Sequence, residues 1–170
     1  ITLFGLLPPA MFATGVPWMK IAYAMAVGLS AAWLTARLAK PGAPFVWAQR
    51  LTQAVLAVML ALGVASILNT PPETRWDDVL STSWWLCPVR VLALSLPALA
   101  AAIWALRGLA PTRPLLAGMA AGWMAGAVGA LGYALSCPES SLPFVALWYT
   151  LGMALSSAVG AWLGARCLRW

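Results

Sequence analysis

The architecture follows from two stretches, residues 115–135, LLAGMAAGWMAGAVGALGYAL, and residues 142–165, LPFVALWYTLGMALSSAVGAWLGA. Neither contains a charged residue, and each reaches the roughly 20 apolar residues that carry a helix across a hydrocarbon core. Runs this long and continuous exclude the short alternating strands of an outer-membrane barrel, which leaves helices as the spanning element. Three further apolar runs to the N-terminal side are of similar length, with bases only near their ends. The chain is therefore expected to be an all-α membrane protein, a polytopic transmembrane helix bundle forming a single domain over residues 1–170. Its five full spans are placed at about 18–38, 47–68, 88–106, 115–136 and 142–165. Residues 1–7 read as the tail of a sixth, N-terminal helix, since the first residue is Ile1 and no basic segment or cleavage site precedes the first apolar run.

Composition agrees with this reading. A chain of 170 residues that is 63% hydrophobic and 8% charged cannot present a soluble surface. The net charge of +6 is not a nucleic-acid signal, because the bases are scattered singly between apolar runs instead of sharing one face. There is no His and there are four acids, which removes zinc sites and His-based acid–base catalysis and argues against an enzyme.

The connections orient the spans. Pro41-Gly42-Ala43-Pro44 is a tight turn, and Asn69-Thr70-Pro71-Pro72 stops the second span because consecutive prolines remove donors and clash with the preceding turn. Residues 69–86 form the one sizeable polar connection, with Glu73, Asp77 and Asp78 beside Trp76, Trp84 and Trp85. That composition belongs at headgroup level, with one short helical turn expected there. Pro97 is expected to kink the third span. Counted on alternate loops, Arg37, Lys40, Arg50, Arg107, Arg113, Arg166 and Arg169 share one side with no acid. The other side holds Lys20, Arg75 and Arg90 with all four acids, Glu73, Asp77, Asp78 and Glu139. The positive-inside rule makes the first side cytoplasmic, with the C-terminus inside and Cys87 and Cys137 facing out. Lys20 and Arg90, near outer span ends, are expected to snorkel to water. Gln53, Ser95, Ser156 and Ser157 are expected to bond helix to helix.

Gly118, Gly122 and Gly126 recur at intervals of four, and the last span answers with Gly152, Ser156, Gly160 and Gly164. Stripes of small residues let two backbones approach and gain dispersion contacts that lipid cannot replace, so these spans are expected to form a tight antiparallel hairpin.

Several motifs carry a family likeness: Ser83-Trp84-Trp85-Leu86-Cys87, Leu94-Ser95-Leu96-Pro97, Ala110-Pro111-Thr112-Arg113-Pro114, Ala117-Gly118, Tyr133-Ala134-Leu135-Ser136-Cys137-Pro138-Glu139-Ser140-Ser141, Trp148-Tyr149-Thr150-Leu151-Gly152 and Leu168-Arg169-Trp170. Over about residues 80–170 the chain resembles the NrsF-type membrane anti-sigma factors; earlier residues share the pattern of spans and the Pro-Gly turn at 41–42. The resemblance implies six transmembrane helices in a bacterial inner membrane, with lipid as one partner. It implies as the other an extracytoplasmic-function sigma factor, held inactive through a cytoplasmic N-terminal segment that this sequence lacks. It further implies that heavy metals or oxidants are felt by two periplasmic cysteines, whose counterparts are Cys87 and Cys137.

The residues themselves point the same way without closing the question. Cys87 precedes Pro88, a residue favoured at the first helical position, so it stands near an N-cap where the helix dipole favours an anion, with Arg90 as a supporting cation three residues on. Cys137 follows a helix C-terminus and has Glu139 nearby, which suits a resolving thiol. One expectation is that an oxidant attacks Cys87 and Cys137 closes a disulfide. A variant has a transient thiophilic metal ion bridge both sulfurs, with Met11 as a third ligand; no resident cofactor is expected. A permanent disulfide and a pair of inert thiols remain open alternatives. Cys167, among Arg166 and Arg169, reads as a reduced bystander. From another class, a membrane thiol–disulfide or metal-handling protein would need a C-x-x-C pair or charges in the middle of the spans, and the sequence has neither.

Overall fold

The structure, a computed structural model, describes residues 16–80, 84–139 and 141–168. The expected sixth-helix tail and Met11 lie outside the described residues. Six helices follow in order: α1 (Val16–Leu38), α2 (Val46–Asn69), the short α3 (Arg75–Leu80), α4 (Leu86–Arg107), α5 (Pro114–Ala134) and α6 (Leu142–Cys167), with no strand among the described residues. All but α3 are long and apolar enough to cross a membrane. Within α6, Val145–Tyr149 wind as a π-helix. Helix α4 runs on through Pro97.

Helix α5 is the centre. It packs against α6, α1 and α4, whereas α2 lies outermost, on α1 and the first turns of α6. The reason is side-chain size. The buried face of α5 is Ala and Gly almost throughout, closing with Tyr133, so three helices can approach its backbone. Helix α2 buries only Ala48, Thr52, Met59 and Gly63, and turns Val58, Leu62, Val64 and Leu68 outward, a surface for lipid rather than water.

Contacts along the α5–α6 hairpin are backbone on backbone. A Cβ added to Gly118 would strike the Gly160 carbonyl, one on Gly122 the Ser156 carbonyl, and one on Gly126 would stand 2.8 Å from Met153 Cα. Gly160 meets Gly118 in return, and Gly164 meets Pro114. Gly152 departs from this stripe. A Cβ there would lie 2.7 Å from Val91 Cβ and 3.2 Å from Pro88 Cα, so it closes α6 on α4, not on α5. Gly129 of α5 faces the Val91 carbonyl as well. At this level α4 wedges against the hairpin, with Val91 seated between two glycines. Hydroxyls continue the seam: Ser95 and Ser156 share a hydrogen bond of 2.7 Å, and Ser157 donates to the Met119 carbonyl at 3.0 Å. Gln53, expected to bond across helices, sits on the exposed face of α2.

The bundle has two unlike ends. At one, Leu38, Leu106 and Leu168 pack together around Ala117 and Ala121. The α1–α2 connection there is a type II turn, with Pro41 at its second position, Gly42 at φ +76° and the Ala43 amide bonding the Lys40 carbonyl at 3.3 Å. At the other end α3 is pinned to the start of α6: Trp148 Nε1 donates to the Val79 carbonyl at 2.8 Å, and the Ser141 hydroxyl donates to the Asp78 carbonyl.

Candidate cysteine site

Helix α4 begins at Leu86 with Trp85 as its N-cap, so Cys87 lies inside the first turn, not ahead of it. Pro88 is accommodated because amides of the first turn have no intrahelical partner, and a residue lacking N–H loses nothing there. On the opposing side the chain leaves α5 by a turn in which the amides of Ser136 and Cys137 both bond the Tyr133 carbonyl at 3.0 Å.

That turn leaves the Cys137 carbonyl to be satisfied by a side chain, and Lys20 does so: its Nζ donates to Cys137 O at 2.9 Å. Lys20 is 1% exposed, which corrects the expectation that it snorkels to water. The physical cause is the C-terminal end of α5. The acceptor is the Cys137 carbonyl, three residues beyond that end on its electronegative side, and Glu139 adds a carboxylate in electrostatic range. An ammonium ion there exchanges water for fixed acceptors.

The structure brings Cys87 and Cys137 together. Both belong to one buried cluster with Tyr133, Phe144, Tyr149 and Met153, and both thiols are free. Cys87 lies within electrostatic range of Cys137, Lys20, Glu139 and Arg90. The Arg90 guanidinium stands 6.0 Å from the centre of the Tyr133 ring. The thiols are not at a water-facing position: Cys87 is 0% and Cys137 1% exposed. Burial of this degree shields both sulfurs from collision with a dissolved reagent. Cys167 is remote from both, half-buried beside Leu99, Ile103 and Leu163 where α6 ends.

Two aromatic residues complete the site. The rings of Tyr133 and Tyr149 are 5.8 Å apart, tilted by 40°. Tyr149 closes the π segment, is fully buried, and its hydroxyl has no hydrogen-bond partner; Cys137 lies beside it outside ordinary hydrogen-bond geometry. Single π turns commonly mark functional positions in helices. No cluster of three or more His, Cys, Asp or Glu exists among the described residues, so a thiophilic ion here would rest mainly on the two sulfurs.

Sequence reasoning missed Lys20, Tyr133 and Tyr149 as members of the site. For Lys20 a signal was present, since an ionisable residue inside a span calls for a named partner. For Tyr149 there was none, because its orientation depends on a π turn that the local sequence does not announce.

Compared with known proteins, residues 1–170 match the family NrsF, "Negative regulator of sigma F". The "Probable anti-sigma-F factor NrsF" of Azospira oryzae is 37% identical over 153 residues, covering 90% of this chain and 72% of that protein. The "Anti-sigma-F factor NrsF" of Caulobacter vibrioides is 38% identical over 154 residues, with the same shares. No solved structure matches the chain. The family is one of regulators, not enzymes. With a helix bundle of five apolar spans and this likeness over nearly its whole length, the chain belongs to the NrsF family of negative regulators of sigma F.

Proposed function

We propose that the protein is an inner-membrane anti-sigma factor that holds an extracytoplasmic-function sigma factor inactive and releases it when Cys87 and Cys137 react with heavy-metal ions or oxidants. The observation that carries this reading is the shared buried cluster: two free thiols, one in the first turn of α4 and one in the turn that follows α5, the latter bonded through its backbone to Lys20 of α1. In the oxidative branch a peroxide converts one thiol to sulfenic acid, leaving as an alcohol or water, and the second thiol displaces water to form the S–S bond. In the metal branch both sulfurs lose their protons to solvent and bind the ion. Either product draws the start of α4 toward the α5–α6 turn. The Cys137 carbonyl then shifts against Lys20, and the change passes to α1 and to the chain entering it, as a shift between two packings of the bundle.

By the positive-inside rule the end with Arg37, Lys40, Arg107, Arg113 and Arg166 is cytoplasmic and the cysteine end periplasmic. The sigma factor is contacted by an N-terminal cytoplasmic segment joined to α1 through a further span. The test is a sigma-dependent reporter in cells carrying the protein with that segment, challenged with cadmium or peroxide. Cys87→Ser and Cys137→Ser are each expected to keep repression and lose induction. Normal induction in both variants refutes the sensor, and failure to repress in the parent refutes the partner.

A further inference from the structure

At the end opposite the cysteines, the α1–α2 turn and the α4–α5 connection enclose a cleft of about 270 Å³. Arg37, Lys40 and Arg113 line it, with Phe45 and Thr112 between them. We propose that this cleft is a binding site for the phosphate-bearing headgroup of an anionic phospholipid.

Three observations carry the assignment. First, the cations have no carboxylate side chain to neutralise them anywhere near. All four acids of the chain belong to the far end: Glu73, Asp77 and Asp78 precede or lie in α3, which is pinned to the start of α6, and Glu139 faces Lys20. Along α1 alone, Lys20 and Arg37 are separated by about 25 Å at 1.5 Å per residue. Like charges held around one cavity repel unless an anion from outside enters it. Second, the cleft is shaped rather than incidental. The Arg113 guanidinium lies 5.0 Å from the centre of the Phe45 ring, and Gly42 at φ +76° folds the turn that brings Lys40 round. Third, its depth is that of headgroups. Arg37 stands 5.8 Å from the Trp33 ring and Arg50 5.5 Å from the Trp47 ring, both rings exposed, a pairing of bases and tryptophans that marks the interface of a spanning helix. Around a membrane-spanning bundle at this depth, the abundant anion is a phospholipid phosphate, and basic pockets between helix ends hold such headgroups. Leu38 and Phe45 offer the adjoining glycerol and first methylenes an apolar wall. The site stands apart from the cysteines and does not rest on the reading of them.

The test is lipid binding by the full chain in a zwitterionic detergent, followed by native mass spectrometry with phosphatidylglycerol, phosphatidylcholine and inorganic phosphate. Phosphatidylglycerol is expected to be retained over phosphatidylcholine, and millimolar phosphate is expected not to displace it. Arg113→Gln is expected to weaken retention about fivefold, and Arg37→Gln with Lys40→Gln and Arg113→Gln on the order of a hundredfold. Arg166→Gln, a cation of the same end outside the cleft, should leave it unchanged. Arg37→Lys with Arg113→Lys should retain the lipid, and circular dichroism checks that every variant keeps its helices. Equal retention of the two lipids overturns the proposal, as does equal weakening by Arg166→Gln. Displacement by inorganic phosphate overturns the lipid assignment in favour of a free anion. A folded triple variant that keeps phosphatidylglycerol but loses capture of the sigma factor overturns it in favour of a protein contact.

Discussion

Helix α5 presents opposite electrical ends to the two halves of the bundle, and the basic side chains near each end differ accordingly. At the C-terminal end Lys20 is buried and bonded to the Cys137 carbonyl, with Glu139 in range. At the N-terminal end Arg37, Lys40 and Arg113 stand around an open cleft. Residues of one chemical type at the same kind of place, the end of an apolar helix, have opposite fates. Orphan carbonyls accept from an ammonium ion, whereas a helix N-terminus offers amides that compete with it for the same anions. Burial of charge in this molecule follows the polarity of the neighbouring helix end more than hydropathy.

The largest effect should come from a methyl-scale change at the closed end. Gly152→Val places a branched side chain where a Cβ alone would lie 2.7 Å from Val91 Cβ, and is expected to cost about 3 kcal/mol of unfolding free energy in mixed micelles. A cost below about 1 kcal/mol would mean that α4 is not wedged there. Next comes thiol access. In the folded protein a maleimide should modify half-buried Cys167 faster than Cys87 or Cys137 by on the order of a hundredfold, and denaturation should erase the gap. Equal rates in the folded state would show that the cysteine end is open.

The two ends can then be compared by one substitution. Lys20→Met strands the Cys137 carbonyl and is expected to destabilise by about 2 kcal/mol, while Lys40→Met on the exposed turn should change stability by less than about 0.5 kcal/mol. Equal effects would undo the contrast. Smallest of the defined losses is Gly42→Ala. Nothing lies within 4 Å of the added Cβ, so the cost is the left-handed backbone alone, about 1 kcal/mol. No loss would mean that the turn relaxes.

Much of the fold is legible in the residues themselves. The charge-free runs at 115–135 and 142–165 announced two spanning helices, and the asymmetry of Arg and Lys across the loops separated the ends. The candidate site was legible in part. Cys87 and Cys137 were singled out by their motifs, with Arg90 beside the first. Lys20 was misjudged because a single sequence says how far a charge lies from a span end, not which acceptors a neighbouring helix brings alongside. Gly152 was assigned to the wrong seam because a spacing of four names a face of one helix without naming the helix that meets it.

Residue chemistry and spacing alone settled that this chain is a bundle of apolar helices, since hydrocarbon solubility and backbone hydrogen bonding leave no other form for such runs; its regulator family came from motifs and likeness to relatives. Packing settled the rest. It buried two thiols that local sequence set beside water, turned a lysine inward onto a carbonyl, and left three cations around a cleft with every acid at the far end. These outcomes depend on which helix end meets which, a relation between residues far apart in the chain, 117 positions for Lys20 and Cys137, that no local pattern encodes.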